Sequence, residues 1–384
     1  MTDTTSLDVR HGGSVSVDPA TAARELFESV GGDDRELVLF FCSPEYDLEV
    51  LGREIAARFG STRVIGCTTA GEIGVHGYRK RSISGVGIGG PGFVARTVRI
   101  DRLSTFEIAT GEAAALEAIA LLEAAGASGR ERCFGLLLAD GLSMQEEALV
   151  SALYGKLGAC PLVGGSAGDE TRFQRTFVFH EGAFHADAAL FTLVHCDHAF
   201  DVFKTEHFVA TPERLVVTAA DPTRRIVSEI NGESAAREFA RVLGIQIDAL
   251  TPMAFATHPV VVRVAGELYV RSIQKVNDDE SLTFFCAIDD GIVLTVAKSV
   301  DMLQNLTAAF EGVRARIGPP VLTLGFDCIL RRLEAEREDQ KEQIAAIYAN
   351  NAVTGFATYG EQFNGMHVNQ TFTGVAIGAR RRDA

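Results

Sequence analysis

Residues 66–89 read GCTTAGEIGVHGYRKRSISGVGIG, and residues 355–378 read GFATYGEQFNGMHVNQTFTGVAIG, nearly the same phrase 289 positions later. Laid side by side without a gap, they share Gly66/Gly355, Thr69/Thr358, Gly71/Gly360, Glu72/Glu361, Gly85/Gly374, Val86/Val375, Ile88/Ile377 and Gly89/Gly378. Each phrase is an apolar run, a Gly-Glu corner, a short polar stretch and a glycine-rich strand. A unit written twice points to one supersecondary element used more than once.

Upstream of the first phrase, ELVLFFCSP (36–44) is a short buried-strand run, DLEVLGREIAARFG (47–60) has apolar residues at helical spacing and stops on Gly60, and TRVIGC (62–67) is apolar again. That is the β-α-β rhythm of an α/β protein. VLTLGFDC, RRLEAEREDQKEQIAAIYAN and AVTGFATYGE repeat it across 321–361. A middle copy runs through CFGLLLADG, MQEEALVSALYGKLG and PLVGGSAGDE, followed by ADAALFTLVH. From Ser43 to Gly71 and from Asp140 to Gly168 the interval is 28 positions, whereas Asp327 to Gly360 is 33, which lengthens the third helix by about a turn and a half.

Between copies two and three the pattern changes. Residues 214–244 read as a strand, a DPT turn, a strand, an NG turn and a helix, and 281–297 as a hairpin turning on DDG. The expected architecture is an α/β fold of two domains, a sandwich of repeated strand-helix-strand-turn-strand units with helices packed on mixed sheets. Its parts are a disordered tail over 1–16, an N-terminal domain over 17–211 with two units, and a C-terminal domain over 212–384 with hairpins and the third unit.

Composition narrows the function. A net charge of −15 with one basic run, ARRRDA at the C-terminus, argues against nucleic acid. The seven cysteines lie mostly in apolar runs without CxxC spacing, as reduced thiols do. With no signal peptide and no apolar run near the ~18 residues of a membrane span, the expected location is the cytoplasm, away from the membrane.

The Gly-Glu corners tolerate positive φ and expose backbone N–H groups, so they can turn around a ligand, with Glu72 and Glu361 offered from the two halves. Their bland reading is a carboxylate bonded to its own turn. GGSAG (164–168) matches the GxSxG elbow of hydrolases, but no helix pattern follows and the other copies place Thr69 and Thr358 there. Cys67, with His76 nine residues on, is the nucleophile option; Phe356 at the matching position points instead to an apolar slot. No HExxH or zinc spacing occurs. His258, before Pro259 and a strand, and His367, in GMHVNQTF, are histidines in apolar settings of the kind a five-coordinate haem iron uses.

VIGCTTAGEI, SEINGESAAREFARVLG and ATYGEQFNGMHVNQTFTGVAIG together resemble the FIST family of bacterial signal-transduction sensors, with its FIST N and FIST C domains, over roughly residues 20–380. The resemblance implies a sensor rather than an enzyme, and extends to nitric-oxide-sensing haem proteins of the NosP type. It implies haem b, nitric oxide as the signal, and output through a separate sensor histidine kinase or cyclic di-GMP enzyme, with a homodimer allowed. The resemblance does not fix the haem ligand; His258 and His367 are the candidates from their local setting, and without a CxxCH motif the haem is expected to be held non-covalently. The alternative is a haem-free sensor of a small metabolite such as an amino acid, using Cys67, Thr68, Thr69, Gly71, Glu72, Tyr359, Gly360, Glu361, Asn364 and Asn369. A Cys67-dependent enzyme is the third reading.

Overall fold

The computed structural model describes residues 7–380 apart from 75, 128 and 265. A first unit comprises β1 (Asp8–Ser14), α1 (Pro19–Val30), β2 (Leu37–Cys42), α2 (Leu48–Phe59), β3 (Val64–Thr68), β4 (Glu72–Gly74), β5 (Gly77–Arg79) and β6 (Ile83–Gly89). The second repeats it as β7 (Phe93–Asp101), α3 (Ile108–Ala124), β8 (Cys133–Ala139), α4 (Glu146–Leu157), β9 (Leu162–Ser166), β10 (Val178–His180), β11 (Ala183–His185) and β12 (Ala188–Cys196).

The third unit opens with β13 (His198–Thr205) and is then interrupted. The insertion holds β14 (Phe208–Asp221), β15 (Ile226–Ile230), β16 (Glu233–Ser234), α5 (Ala235–Leu243), α6 (Pro252–Thr257), β17 (Val260–Val264), β18 (Glu267–Arg271), β19 (Ile273–Val276), β20 (Leu282–Phe284) and β21 (Val293–Ser299). The unit resumes with α7 (Met302–Ile317), β22 (Leu322–Cys328), α8 (Ile329–Arg337), α9 (Lys341–Asn350), β23 (Val353–Thr358), β24 (Glu361–Phe363), β25 (Met366–Val368) and β26 (Phe372–Arg380).

The three units build three equivalent sheets, β1-β6-β2-β3, β7-β12-β8-β9 and β13-β26-β22-β23, and each is completed by a hairpin from another unit. β10–β11 extends β3, β24–β25 extends β9, and β4–β5 extends β23, so every unit gives one hairpin and receives one. In each sheet one pair is parallel (β2/β3, β8/β9, β22/β23), joined by a crossover helix as parallel strands require. Strand alternation then sorts the side chains. Leu39, Phe41 and Ile65, Leu136, Leu138 and Val163, and Leu324, Phe326 and Phe356 meet in one central core. The intervening residues face outward, Val38 and Phe40 meeting α1 and α2, and Leu137 meeting α3 and α4.

The repeated glycine has a steric reason. Gly66, Gly164 and Gly355 occupy one position in the three parallel pairs, and a Cβ there would run into the backbone carbonyl oxygen of Phe40, Leu137 and Gly325 respectively. Only glycine permits that approach.

The expected class is observed, an α/β fold of repeated units with helices packed on mixed sheets, here three units with shared sheets plus an insertion. Details differ from expectation in three respects. The tail expected over 1–16 is, from Asp8 to Ser14, strand β1, paired antiparallel with β6; as an edge strand it binds through backbone groups and carries little apolar pattern. Residues 1–6 lie outside the described residues. The boundary at 211/212 falls inside β14, because the third unit already begins with β13. The segment 281–297 is no hairpin: β20 pairs with β15 and β19, and β21 with β14 and β17. The strand, DPT, strand, NG and helix reading of 214–244 is observed, with Asn231 and Gly232 both at positive φ.

Candidate functional site

The three corners that follow β3, β9 and β23 converge, and they do so by hydrogen-bonding one another. Ala70 N–H donates to Ala357 O at 2.9 Å and Ala357 N–H to Gly71 O at 2.7 Å; Ser166 N–H donates to Gly360 O at 2.8 Å, Tyr359 N–H to Ser166 O at 3.1 Å, and Gly168 N–H to Thr68 O at 3.0 Å. The corners therefore bond one another where three strand ends pass between sheets, and backbone groups expected to turn around a ligand are engaged with each other.

Glu72 and Glu361 are fully buried beside these corners and are engaged within their own repeats. Glu72 accepts from Thr69 Oγ1 at 2.6 Å and from Ser82 Oγ at 2.6 Å. Glu361 accepts from Thr358 Oγ1 and, at 2.7 Å, from Thr371 Oγ1. Burial pushes the Glu72 carboxyl up to about 7 and that of Glu361 up to about 8. Middle-copy Asp169 binds the backbone N–H groups of Phe173, Gln174 and Arg175 at 2.8, 2.8 and 2.9 Å and takes the Tyr359 hydroxyl. These acids staple the corners, and their acceptor capacity is spent inside the fold.

Of the other expected residues, Cys67 lies in the central core opposite Val178, its thiol pushed well above the ordinary range by burial, while His76 is exposed at the β4–β5 turn. Thr68 exchanges hydrogen bonds with the Phe177 backbone. Asn364 turns the β24–β25 hairpin at φ 54. Ser166 ends β9 and runs into an irregular segment instead of a helix, so the nucleophile-elbow geometry is absent.

A different group is brought together by the exchanged hairpin. In β24–β25, Gln362 lies opposite His367, and Asn369 follows two residues on, so the three project from one face toward α4 and the insertion. Gly360 lies against the His367 ring and Asn369 Nδ2, where a Cβ would collide with the imidazole. Gln362 Nε2 donates to Ser166 Oγ at 2.9 Å. Both ring nitrogens of His367, both amide atoms of Asn369 and Oε1 of Gln362 are buried without a protein partner. His367 is 3% exposed, and its pKa is lowered by burial, which leaves a neutral imidazole with one donor and one acceptor nitrogen.

Charged groups close this cluster from the insertion side. Arg225 Nη2 contacts Glu146 Oε2 and Glu147 Oε2, each at 2.6 Å, while its Nη1 donates to Phe285 O at 2.8 Å. Glu147 Oε1 also accepts from Ala287 N–H at 3.0 Å. Of these residues, sequence reading had found His367, Asn369 and Gly360, considered Ser166 only as a nucleophile, and missed Gln362, Arg225, Glu146 and Glu147. Glu146 and Glu147 read as ordinary first-turn acids of a helix. Arg225 carries one local signal, a left-handed φ of 55 after the Pro222 turn, that is invisible without coordinates.

Neither candidate histidine suits haem. His258 is exposed at the end of α6, its Nδ1 bonded to Thr257 Oγ1 at 3.0 Å, outside any apolar enclosure. His367 is enclosed with the Asn369 and Gln362 amides and the Glu146, Glu147 and Arg225 charges beside it, a polar setting that does not suit a porphyrin. An apolar hollow of 330 Å³ between α3 and α4, lined by Ile119, Leu122, Cys133, Leu157, Cys160 and Leu193 among others, has no histidine on its wall. Among the described residues no helix is long and apolar enough to cross a membrane, and no cluster of three or more His, Cys, Asp or Glu could hold a metal ion.

Comparison with known families matches the FIST N domain to residues 36–233 and the FIST C domain to residues 235–364. No curated protein matches the chain, so the likeness to NosP-type haem proteins has no support from a relative.

Proposed function

Because this chain belongs to the FIST family, whose domains are signal-transduction sensors that bind small ligands, we propose that it senses a small polar metabolite at the buried cluster of His367, Asn369 and Gln362. One observation carries the reading: five polar atoms on these three side chains are buried together without a protein partner. An unsatisfied buried donor or acceptor costs about 1–3 kcal/mol, so such a cluster is retained where something else supplies the partners. The metabolite sensor is therefore favoured over the haem-based nitric oxide sensor, and the Cys67-dependent enzyme is disfavoured by the core position of that thiol. Output passes to a separate partner, a sensor histidine kinase or a cyclic di-GMP enzyme.

Thermal unfolding against a panel of amino acids, nucleosides and small organic acids tests this. A true ligand at 100 times its Kd adds about 2.7 kcal/mol by mass action. Saturable stabilisation by one panel member, abolished by His367→Ala or Asn369→Ala, is expected. Stabilisation that survives both substitutions, or none at all, would refute the site. A haem titration that produced a Soret band dependent on His367 would reverse the preference between the two sensor readings.

A further inference from the structure

We infer that the insertion, Phe208–Ser299, is a lid over the buried His367 cluster and that Arg225 is its latch; this rests on the ligand-binding reading above. The insertion has a core of its own, with Leu215, Val227, Phe239, Phe255, Leu282 and Leu294 at its centre, and so can move as a body. Two short crossings, residues 206–207 and 300–301, connect it to the third unit. They are tied by Val300 N–H donating to His207 O at 2.8 Å. The buried His207 ring fixes this hinge to the body, with Nε2 2.9 Å from Glu334 Oε2 and Nδ1 2.7 Å from Arg331 Nη1.

At the other side of the insertion, closure combines an apolar seam with a set of polar ties. In the seam, Met253, Ala256 and Phe285 of the insertion meet Ile329, Leu330 and Tyr359 of the body. Gln370 Nε2 donates to Ala256 O at 2.8 Å. Phe173 packs its ring on Phe285 at 5.8 Å, and Lys204 of the body lies over the Tyr269 ring at 5.1 Å. The buried ionic tie on this side is Arg225, which holds Phe285 O within the lid and both Glu146 and Glu147 on the body, with Ala287 N–H bonded to Glu147 beside it. Arg225 and Glu146 side chains are 7% and 2% exposed.

A latch of this chemistry opens more readily than an apolar one. The attraction of a buried ion pair is largely offset by the hydration its members give up, and that hydration returns when they separate. His367 lies behind the latch with both nitrogens unpartnered, so a ligand reaches it when the lid lifts. Contacts made by the ligand to both walls in the closed state shift the population toward closure, and the exposed outer surface of the insertion moves with it. Ligand occupancy is thereby converted into a change that a separate protein can read.

The test uses the full chain and diethyl pyrocarbonate, which acylates accessible neutral imidazoles, with the labelling rate of each histidine read by peptide mass spectrometry. Exposed His258 reports reagent activity, and His207, buried in the hinge and independent of the latch, reports global unfolding. In the wild-type chain His367 is expected to react at least about tenfold faster than His207, and Arg225→Gln should raise its rate about tenfold or more while His207 stays slow; a tenfold change corresponds to about 1.4 kcal/mol. Equal rates at His367 and His207 in the wild-type chain would overturn the lid, as would an unchanged His367 rate in a folded Arg225→Gln chain. If that variant unfolds, both histidines react and the wild-type ratio decides. A panel compound that stabilises the wild-type chain while His367 reacts no faster than His207 defeats the lid and leaves the site standing. A mobile lid with no stabilising compound does the reverse.

Discussion

Glu361→Gln should make thermal stability less dependent on pH, and its size follows from the geometry of one corner. The carboxyl is fully buried, accepts from Thr358 Oγ1, Thr371 Oγ1 and Thr371 N–H, and feels Asp327 nearby. Desolvation outweighs those donors and pushes its pKa from 4.5 up to about 8. A group whose pKa is higher in the folded than in the unfolded chain binds more protons when folded, so its stabilising contribution is complete below pH 4.5 and is lost as pH climbs toward about 8. At about 1.4 kcal/mol per pKa unit, the loss is on the order of 4–5 kcal/mol. An unfolding entropy of about 2.1 cal/mol/K per residue, summed over 384 residues, converts that into about 5 °C. Glutamine keeps the shape and never ionises, and the two threonine hydroxyls can rotate to accept from its amide. Melting followed by circular dichroism from about pH 5 to about pH 8.5 should therefore show the variant gaining about 5 °C on the wild-type chain across that range. A difference that stays flat with pH would mean that the carboxylate is ionised throughout, and the argument from burial would be wrong.

Glu72→Gln at the matching corner should behave alike with a smaller span, since burial takes Glu72 only to about 7; identical pH profiles for the two variants would contradict this ordering. Gly355→Ala drives a Cβ into the Gly325 carbonyl in the middle of a parallel pair, and should cost about 3 kcal/mol or more by urea unfolding; a midpoint within error of wild type would show that the strands can separate locally. Arg331→Met removes the partner of Asp327, whose carboxylate Arg331 Nε contacts at 2.7 Å deep in the third unit, and should cost about 3–5 kcal/mol; a loss under about 1 kcal/mol would mean that Tyr78 and Tyr348 suffice for Asp327. All seven cysteines are buried, so Ellman's reagent should find no reactive thiol until urea unfolds the chain; rapid reaction at Cys67 in the native protein would reopen the enzyme reading.

Much of the fold was legible because it is written in local pattern. Apolar runs of strand length, helical spacing and the corner phrase identify the units, and Phe356 standing at the repeat position of Cys67 marked a core position that both side chains do occupy. The turn at Asn231-Gly232 and the helix after it were read correctly for the same reason. Part of the buried polar cluster stands in the repeated phrase too, namely His367 and Asn369. The assignment of Glu72 and Glu361 to a ligand failed because a buried acid bonded to its own turn and one held for a ligand look alike in sequence. Arg225 stayed hidden because an arginine after a turn is ordinary until a distant helix presents two carboxylates to it.

Local pattern in the chain specifies the repeated β-α-β units, their corner glycines and their alternating inward and outward faces, since each depends on neighbours within a few residues. Tertiary structure alone decided which sheet receives each hairpin, and hence that β24–β25 meets α4 and the insertion to enclose His367. A strand joins a sheet edge through backbone N–H and C=O groups that every residue carries, so no side chain announces the edge it will choose.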